Sequence, residues 1–269
     1  MPELAEVEYF RRQWNAGSGN RVIKIAQHPD KRVFRGTDTR ALRKELAGAR
    51  LLTSEARGKR MLFRFSNENW LGLHLGMSGK MQTARSDFRP QKHDHLVLYQ
   101  RDRALVFTDA RQFGRVQFHH GKTAPAWWDN GIPEIVSDEF DYAFLKRFLH
   151  RHRKAPIKAV VLMQSGFSGI GNWMADEILW RAKILPAKLA GKCRGSIHVI
   201  TARRPLEIIS FANSFVGVSH NGNSGVIPVP DNFASRYSLM SARNRSPNAM
   251  HSIPCCCEWP TNSFIAVSY

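Results

Sequence analysis

The order of apolar and polar residues predicts a helix at residues 3–15. Leu4, Val7 and Phe10 recur at helical spacing and fall on one face of this segment. Acidic residues occupy its first turn and arginines lie near its end, where the helix dipole favours each sign of charge.

Residues 21 to about 120 show a different pattern, in which short alternating runs are separated by turns. In the first of these runs, apolar residues occupy every second position, at Met61, Phe63 and Phe65. The polar turn at 67–69 follows, and a second alternating run comes after it. This pattern predicts an all-β sandwich or barrel with one helix at its start. The alternating runs after residue 65 lie at 70–75, 96–99, 104–108 and 115–118.

Helical spacing returns after Pro133. Residues 139–152 form one predicted helix that ends in a basic run, and residues 157–164 and 172–184 form two more around the glycine-rich loop at 165–171.

The chain is therefore predicted to be an α+β protein in three parts. Residues 1–132 form an N-terminal β-sandwich domain opened by a helix, and residues 133–215 form a helical domain, with a weaker helical pattern at 204–215. Residues 216–269 form a tail rich in Ser, Asn, Gly and Pro without strong periodicity.

The charge of the chain points to a polyanionic partner. Lys and Arg total 40 against 22 Asp and Glu, which gives a net charge of +18 over 269 residues. Dense phosphate attracts such a surface through release of counterions, so nucleic acid is preferred over the alternative of a merely basic protein.

Export, membrane insertion and metal binding are not expected. Residues 1–8 carry three Glu and no basic segment, and no apolar run approaches the roughly 20 residues of a membrane-spanning helix. The four cysteines, Cys193 and Cys255–Cys257, contain no Cys-x-x-Cys pair. We therefore expect a cytoplasmic protein with reduced thiols and without a metal cofactor.

The segment Met1-Pro2-Glu3 offers a nucleophile. Removal of Met1 would leave Pro2 with a free secondary amine, and α-amines titrate near pH 7.7–8.0. Such an amine attacks an aldehyde to form an iminium, while the adjacent Glu3 carboxylate can move protons. The alternative is structural, because proline is also favoured at helix starts.

Four segments carry further candidates, each with a structural alternative. Lys59 lies in a predicted turn before a strand, where an exposed lysine is usually only solvated. Met77 and Phe113 lie in loops 74–79 and 108–114, either exposed as wedges or packed into the core. His93 lies in Lys92-His93-Asp94-His95, for which phosphate contact or core hydrogen bonding is favoured over metal binding.

The glycine-rich loop before the third helix of the second half also suggests phosphate binding. Asn172 is predicted to be the N-cap of that helix. Glycines before a helix N-terminus let backbone N–H groups approach a phosphate, although an ordinary connector remains an alternative.

Taken together, five segments resemble the formamidopyrimidine-DNA glycosylase and endonuclease VIII family. They are PELAEVE, LGMSG, KHDH, TDARQFG and SGIGN, and the resemblance covers about residues 2–190. It implies an N-terminal β-sandwich opened by a helix, then a helix–two-turn–helix domain. The implied partner is double-stranded DNA containing oxidised bases or abasic sites, bound by a monomer.

The same resemblance implies base excision followed by strand cleavage. Pro2 would attack C1′ of the damaged nucleoside and form a Schiff base, with β- and then δ-elimination of the phosphates. Glu3 would be the general acid/base, Lys59 would lie near the lesion and its phosphates, and Glu6 would line the lesion pocket. The implied DNA contacts are Met77, Arg111 and Phe113 in the gap left by the flipped nucleotide, and His93, Lys158 and Asn172 at phosphates.

Three positions or regions depart from the family pattern. Ala5 replaces a proline, and Gln112 replaces a common second arginine. Residues 191–269 lack the four-cysteine zinc finger that usually ends the family, so the finger is absent, metal-free or degenerate. A non-catalytic damaged-DNA-binding protein that keeps the fold is the alternative function, and a general RNA-binding protein is a weaker one.

Overall fold

The computed structural model describes residues 2–129, 131–135 and 137–193, and these residues form five α-helices, two short 3-10 helices and eight strands. The predicted helix at 204–215 and the tail at 216–269 lie outside the described residues. The elements are α1 Leu4–Asn15, β1 Lys24–Gln27, α2 Thr39–Leu46, β2 Leu51–Arg57, β3 Arg60–Phe65, β4 Asn69–His74, β5 Lys80–Arg85, β6 Asp94–Tyr99, β7 Arg103–Thr108, β8 Arg115–His120, α3 Tyr142–Arg151, α4 Ile157–Val161 and α5 Asn172–Arg181.

The strands form two four-stranded antiparallel sheets, which confirms the predicted sandwich. One sheet has the order β1-β6-β7-β5 and the other has the order β2-β3-β4-β8. Side chains from both sheets fill one core, because alternate residues of a strand point to the same face.

Helix α1 is anchored to both sheets by Trp14. Its ring lies 5.0 Å from the ring of Phe63 in β3, and its Nε1 donates to the carbonyl of Val106 in β7 at 3.3 Å. Since a buried indole N–H needs an acceptor, this contact fixes the helix against the sandwich. The C-terminal end of α1 is thereby held against both sheets.

Helix α2 was not predicted, because it follows β1 inside the region from 21 to about 120 that was expected to hold strands and turns. Asp38 caps α2 by accepting from the backbone N–H groups of Arg40 and Ala41, both at 2.9 Å. Leu42 and Leu46, four residues apart, are both buried. The capping aspartate and this spacing were visible in the sequence, but the segment is short and lies among strands.

Helices α3, α4 and α5 enclose a second apolar core. Leu145, Val160, Phe167 and Met174 are buried in it, and Leu4 of α1 packs against it. Helices α4 and α5 end earlier than their predicted limits of 164 and 184. Across the described ranges, no helix is long and apolar enough to span a membrane.

Loss of the α2 cap should measurably weaken the sandwich. We expect Asp38→Ala to lower the free energy of unfolding by about 0.5–2 kcal/mol, since two helix N–H groups lose their acceptor. Urea denaturation measures this change. The control is Asp87→Ala, which removes an exposed carboxylate 3.5 Å from Arg85 and should cost less than about 0.5 kcal/mol. Equal losses in the two variants would contradict the capping role.

Candidate active site

The carboxylate of Glu3 binds the N-terminus of helix α5. One oxygen, Oε2, accepts from the N–H groups of Gly171 at 3.0 Å and Met174 at 3.1 Å, and Oε1 accepts from Trp173 at 3.1 Å. The carboxylate is almost fully buried. It therefore satisfies three N–H groups that a helix start leaves without partners, at the positive end of the helix dipole.

The prediction that Asn172 caps α5 is therefore wrong. The N-cap is Gly171, and Asn172 is the first helical residue, with an exposed side chain. A Cβ at Gly171 would lie 2.1 Å from Oε1 of Glu3, so only glycine lets the carboxylate approach. A carboxylate 168 residues away in the sequence replaces the local cap.

The glycine-rich loop does not offer its N–H groups to a phosphate as predicted. Gly171 donates to Glu3, Gly169 donates to Oε1 of Gln164 at 3.2 Å, and Gly166 donates to the carbonyl of Met163 at 3.0 Å. The anion at this helix start is thus the protein's own carboxylate.

Lys59 reaches the same loop from the turn between β2 and β3. Its Nζ is largely buried and donates to the carbonyl of Ile170 at 2.9 Å. Gly58 makes the turn with a φ of +57°, and a Cβ there would lie 2.2 Å from Oγ of Ser168. The interpretation of Lys59 as a merely solvated lysine is therefore wrong.

Burial and nearby charges shift the pKa values of Glu3 and Lys59. Burial raises the pKa of Glu3, although the three N–H donors and Lys59 oppose the rise. Burial lowers the pKa of Lys59, and the nearby carboxylates Glu3 and Glu6 oppose that change. Both shifts move the groups towards neutral pH, where proton transfer is most effective.

Pro2 and Glu6 complete this cluster. Pro2 is partly buried and directly precedes Glu3 in the chain. Oε2 of Glu6 accepts from the backbone N–H of Glu3 at 2.8 Å, which orients the residue after Pro2. The structure thus brings together Pro2, Glu3, Glu6 and Lys59, whereas their chemical roles remain predictions.

Met77 and Phe113 are exposed at the tips of two loops, with 46% and 38% of their surface accessible. The guanidinium of Arg111 lies 4.9 Å from the centre of the Phe113 ring, and that of Arg32 lies 5.8 Å from it. The sequence left open whether Met77 and Phe113 are exposed or packed into the core, and the structure shows that both are exposed.

The residues between Gln91 and Asp109 show core hydrogen bonding. Asp94 accepts from the backbone N–H of Gln91 at 2.8 Å and from Thr108, and Nε2 of His95 contacts the carbonyl of Asp109 at 2.8 Å. The backbone carbonyl of His93 accepts from the Asp109 N–H at 3.0 Å. Within the described ranges, no group of three or more His, Cys, Asp or Glu could hold a metal.

On the helical side, Lys158 is already paired. Its Nζ lies 2.7 Å from Oδ1 of Asp176 in α5, and the lysine keeps 31% of its side chain exposed. Asn172 is exposed at the start of the same helix. The two residues therefore flank one accessible face, with Asp176 offsetting part of the positive charge.

Sequence reasoning missed two residues that organise this region. Asp109 lies within the loop at 108–114 and joins it to the loop at 74–79 by hydrogen bonds. Gln164 makes hydrogen bonds to the backbone of Gly169 and Ile170 and so holds the glycine-rich loop. For Asp109 the available signal was a polar residue at the end of a buried strand and five positions before a glycine.

The chain is similar to known formamidopyrimidine-DNA glycosylases over most of its length. Residues 1–116 match the formamidopyrimidine-DNA glycosylase N-terminal domain, and residues 132–205 match its H2TH domain. Formamidopyrimidine-DNA glycosylase of Lactococcus lactis subsp. lactis is 34% identical over 204 residues, which cover 74% of each chain. That of Laribacter hongkongensis is 37% identical over 193 residues, which cover 71% of this chain and 70% of the relative.

Solved structures agree with these matches. The Lactococcus lactis enzyme bound non-covalently to DNA with an AP site has a TM-score of 0.72, with 32% identity, 80% of this chain covered and 83% of that chain covered. A mutant of that enzyme bound to Fapy-dG-containing DNA has a TM-score of 0.72, with 33% identity and coverage of 84% and 83%. The chain belongs to the formamidopyrimidine-DNA glycosylase family.

Proposed function

We propose that this protein is a base-excision-repair DNA glycosylase with AP lyase activity. Its substrate is double-stranded DNA that contains oxidised bases or abasic sites. The observation that supports this most is the convergence of the Glu3 carboxylate and the Lys59 ammonium beside Pro2. A protein that only binds DNA has no need of a free N-terminal amine beside this carboxylate and lysine.

The proposed reaction begins with extrusion of the damaged nucleotide from the duplex. The Pro2 amine, freed by removal of Met1, attacks C1′ as the C1′–N bond to the base breaks. The leaving base takes up the proton that the amine loses. A second proton goes to the sugar ring oxygen as the ring opens, which gives an iminium at C1′ that withdraws electrons from the C2′–H bonds.

The iminium makes the C2′ protons acidic. Removal of one C2′ proton expels the 3′ phosphate by β-elimination, and a further proton loss expels the 5′ phosphate by δ-elimination. The Glu3 carboxyl would exchange these protons, and its raised pKa suits that role. Lys59 supplies positive charge near the developing negative charges, and Glu6 lines the lesion pocket.

The exposed loops and the helical face would hold the DNA. Met77, Arg111 and Phe113 would fill the gap left by the extruded nucleotide, because they present an apolar tip and a cation on one surface. His93, Lys158 and Asn172 would contact phosphates, which position a duplex without reading its sequence. We propose a monomer that acts in the cytoplasm, at the nucleoid in a bacterial cell.

Borohydride trapping tests the proposed nucleophile. The protein with Met1 removed, as verified by mass spectrometry, should form a reducible covalent adduct with an abasic duplex through Pro2. Pro2→Gly should slow adduct formation sharply, because a primary amine replaces the ring nitrogen of proline. The rate of adduct formation is measured on denaturing gels.

The matched control for trapping is the same chain with an uncleaved N-terminal tag, which blocks the amine and should give no adduct. If the wild type with Met1 removed gives no adduct on any abasic or lesion duplex, the enzyme assignment fails. The non-catalytic damaged-DNA-binding function then replaces it.

Salt dependence separates phosphate contacts from wedge residues. Lys158→Ala should weaken binding to damaged and intact duplexes about equally and reduce the slope of log affinity against log salt by about 0.9. Met77→Ala and Phe113→Ala remove no charge, so the slope should stay constant. Their preference for damaged duplex should fall by roughly five- to hundredfold, as for loss of a contact worth about 1–3 kcal/mol.

Two further variants control the salt experiment. Lys44→Ala removes a highly exposed lysine on α2, outside the site, and should leave the slope unchanged. Asp176→Asn removes the carboxylate paired with Lys158 and should strengthen binding to both duplexes. Full retention of lesion preference by both the Met77 and the Phe113 variants would refute the wedge assignment.

We also propose that the protein holds no structural zinc, because the cysteine spacing in residues 191–269 does not fit a finger. Elemental analysis of the purified full chain should find less than stoichiometric zinc after dialysis. One tightly bound zinc per chain would contradict this proposal and would direct attention to His198, His220, His251 and Cys255–Cys257.

A further inference from the structure

The two loops that carry Met77 and Phe113 touch along their backbones. Gly76 has a φ of +63°, and a Cβ there would lie 2.4 Å from the carbonyl carbon of Phe113 and from the nitrogen of Gly114. Only glycine permits this approach. The positions of the two exposed side chains therefore depend on each other through the main chain.

A single buried carboxylate links the same two loops by hydrogen bonds. Oδ1 of Asp109 accepts from the Ser78 hydroxyl at 2.7 Å and from the Arg111 N–H at 3.2 Å. Oδ2 accepts from the Gly114 N–H at 2.7 Å. The Asp109 side chain is fully buried, and its acceptors hold residues on both sides of Phe113 as well as the residue after Met77.

The main chain of Asp109 extends this arrangement to the sheet below. Its carbonyl accepts from the Gln112 N–H at 3.3 Å, and the His95 ring lies 2.8 Å away through Nε2. Because a carbonyl has no proton to give, Nε2 of His95 must be the donor. Burial lowers the pKa of His95, which favours the neutral ring with its proton on Nε2.

The rim of the 108–114 loop is held separately by the segment before α2. A guanidinium nitrogen of Arg35 donates to the carbonyl of Gly114 at 2.6 Å, and the N–H of Arg32 donates to Oε1 of Gln112 at 3.2 Å. Gln112 adopts a φ of +54°, a conformation that non-glycine residues rarely hold without such contacts. The inner carboxylate and the outer arginines thus fix the loop from both sides.

We propose that Asp109 is the positioning residue that keeps Met77, Arg111 and Phe113 arranged to enter damaged duplex DNA. This inference rests on the wedge role in the proposed function. Exposed apolar side chains tend to fold back onto a protein surface, and a rigid loop reduces the entropy that binding would otherwise cost. Asp109 touches neither DNA nor the reacting atoms in this assignment, and it acts through the two loops.

The test uses Asp109→Asn in the full chain. The substitution keeps the size of the side chain but turns one acceptor into an NH2 group, which faces an N–H or hydroxyl donor. We expect the preference for an abasic-analogue duplex over the matched intact duplex to fall by about fivefold or more. The slope of affinity against salt should stay unchanged, because no phosphate contact is lost.

Asp94→Asn provides the matched control. Asp94 is also buried, lies in β6 of the same sheet, and accepts two hydrogen bonds, from Gln91 and from Thr108 at the end of β7. Among the described residues, its carboxylate accepts no hydrogen bond from residues 74–79 or 109–114, which hold Met77, Arg111 and Phe113. It should lower thermal stability and keep lesion preference. A double variant adds the specific readout: Phe113→Ala should cost less preference in the Asp109→Asn background than in the wild type, because the two act through one loop.

Ser78→Ala tests the role of Asp109 if the Asp109→Asn variant does not fold. It removes one hydrogen bond to the carboxylate, and its preference should fall by about two- to tenfold. Four outcomes would each overturn the inference. The folded Asp109→Asn or Ser78→Ala variant could keep its full preference for damaged duplex, or Asp94→Asn could lose as much preference. The effects in the double variant could be additive, or the wild type could show no preference for damaged duplex. Trapping of the wild type tests the lyase chemistry separately, since lesion preference is measured by binding alone.

Discussion

The contact between the Glu3 carboxylate and the start of α5 satisfies two requirements that neither partner can meet alone. A buried carboxylate costs several kcal/mol unless donors surround it, and a helix start leaves N–H groups without acceptors. Here three backbone donors and the nearby Lys59 ammonium surround the carboxylate, and the carboxylate takes the place of a local cap. The site at the N-terminus and the helical core therefore form as one arrangement.

That dependence also explains the small residues at this junction. Gly171 and Gly58 each lie where a Cβ would meet another segment at close to 2 Å, so both loops approach only because they lack side chains there. The backbone N–H of Leu4 donates to the carbonyl of Gly169 at 3.1 Å, which adds a main-chain link beside the carboxylate. Glu3 and Lys59 are thus placed by backbone contacts more than by side-chain packing.

Local patterns in the sequence were sufficient for some elements and failed for others for identifiable reasons. The α1 spacing and the β3 alternation each reflect one face packed on a core, and both predictions are confirmed. The helix α2 was missed because its eight residues lie among strands. The Asn172 cap was wrong because a distant carboxylate competes with any local one, and no pattern within a short window can reveal such a partner.

The candidate site shows the same division. The sequence alone singled out the segments around Pro2, Lys59, Met77 and Phe113. It could not decide whether the side chains of Met77 and Phe113 are exposed or buried. The function of Asp109 as a common acceptor depends on Ser78, which lies 31 positions earlier in the chain. Contacts of this kind follow from strand pairing, and they become visible once the sheets are assembled.

The distance in sequence between Glu3 and its partners has a consequence for synthesis of the chain. Trp173 is 170 residues after Glu3, so the N-terminus is made long before the helix that covers it. At about 5–20 residues per second, that interval lasts on the order of ten seconds or more. The N-terminus is therefore accessible to processing enzymes during this interval, and docking of α5 covers Glu3 only afterwards.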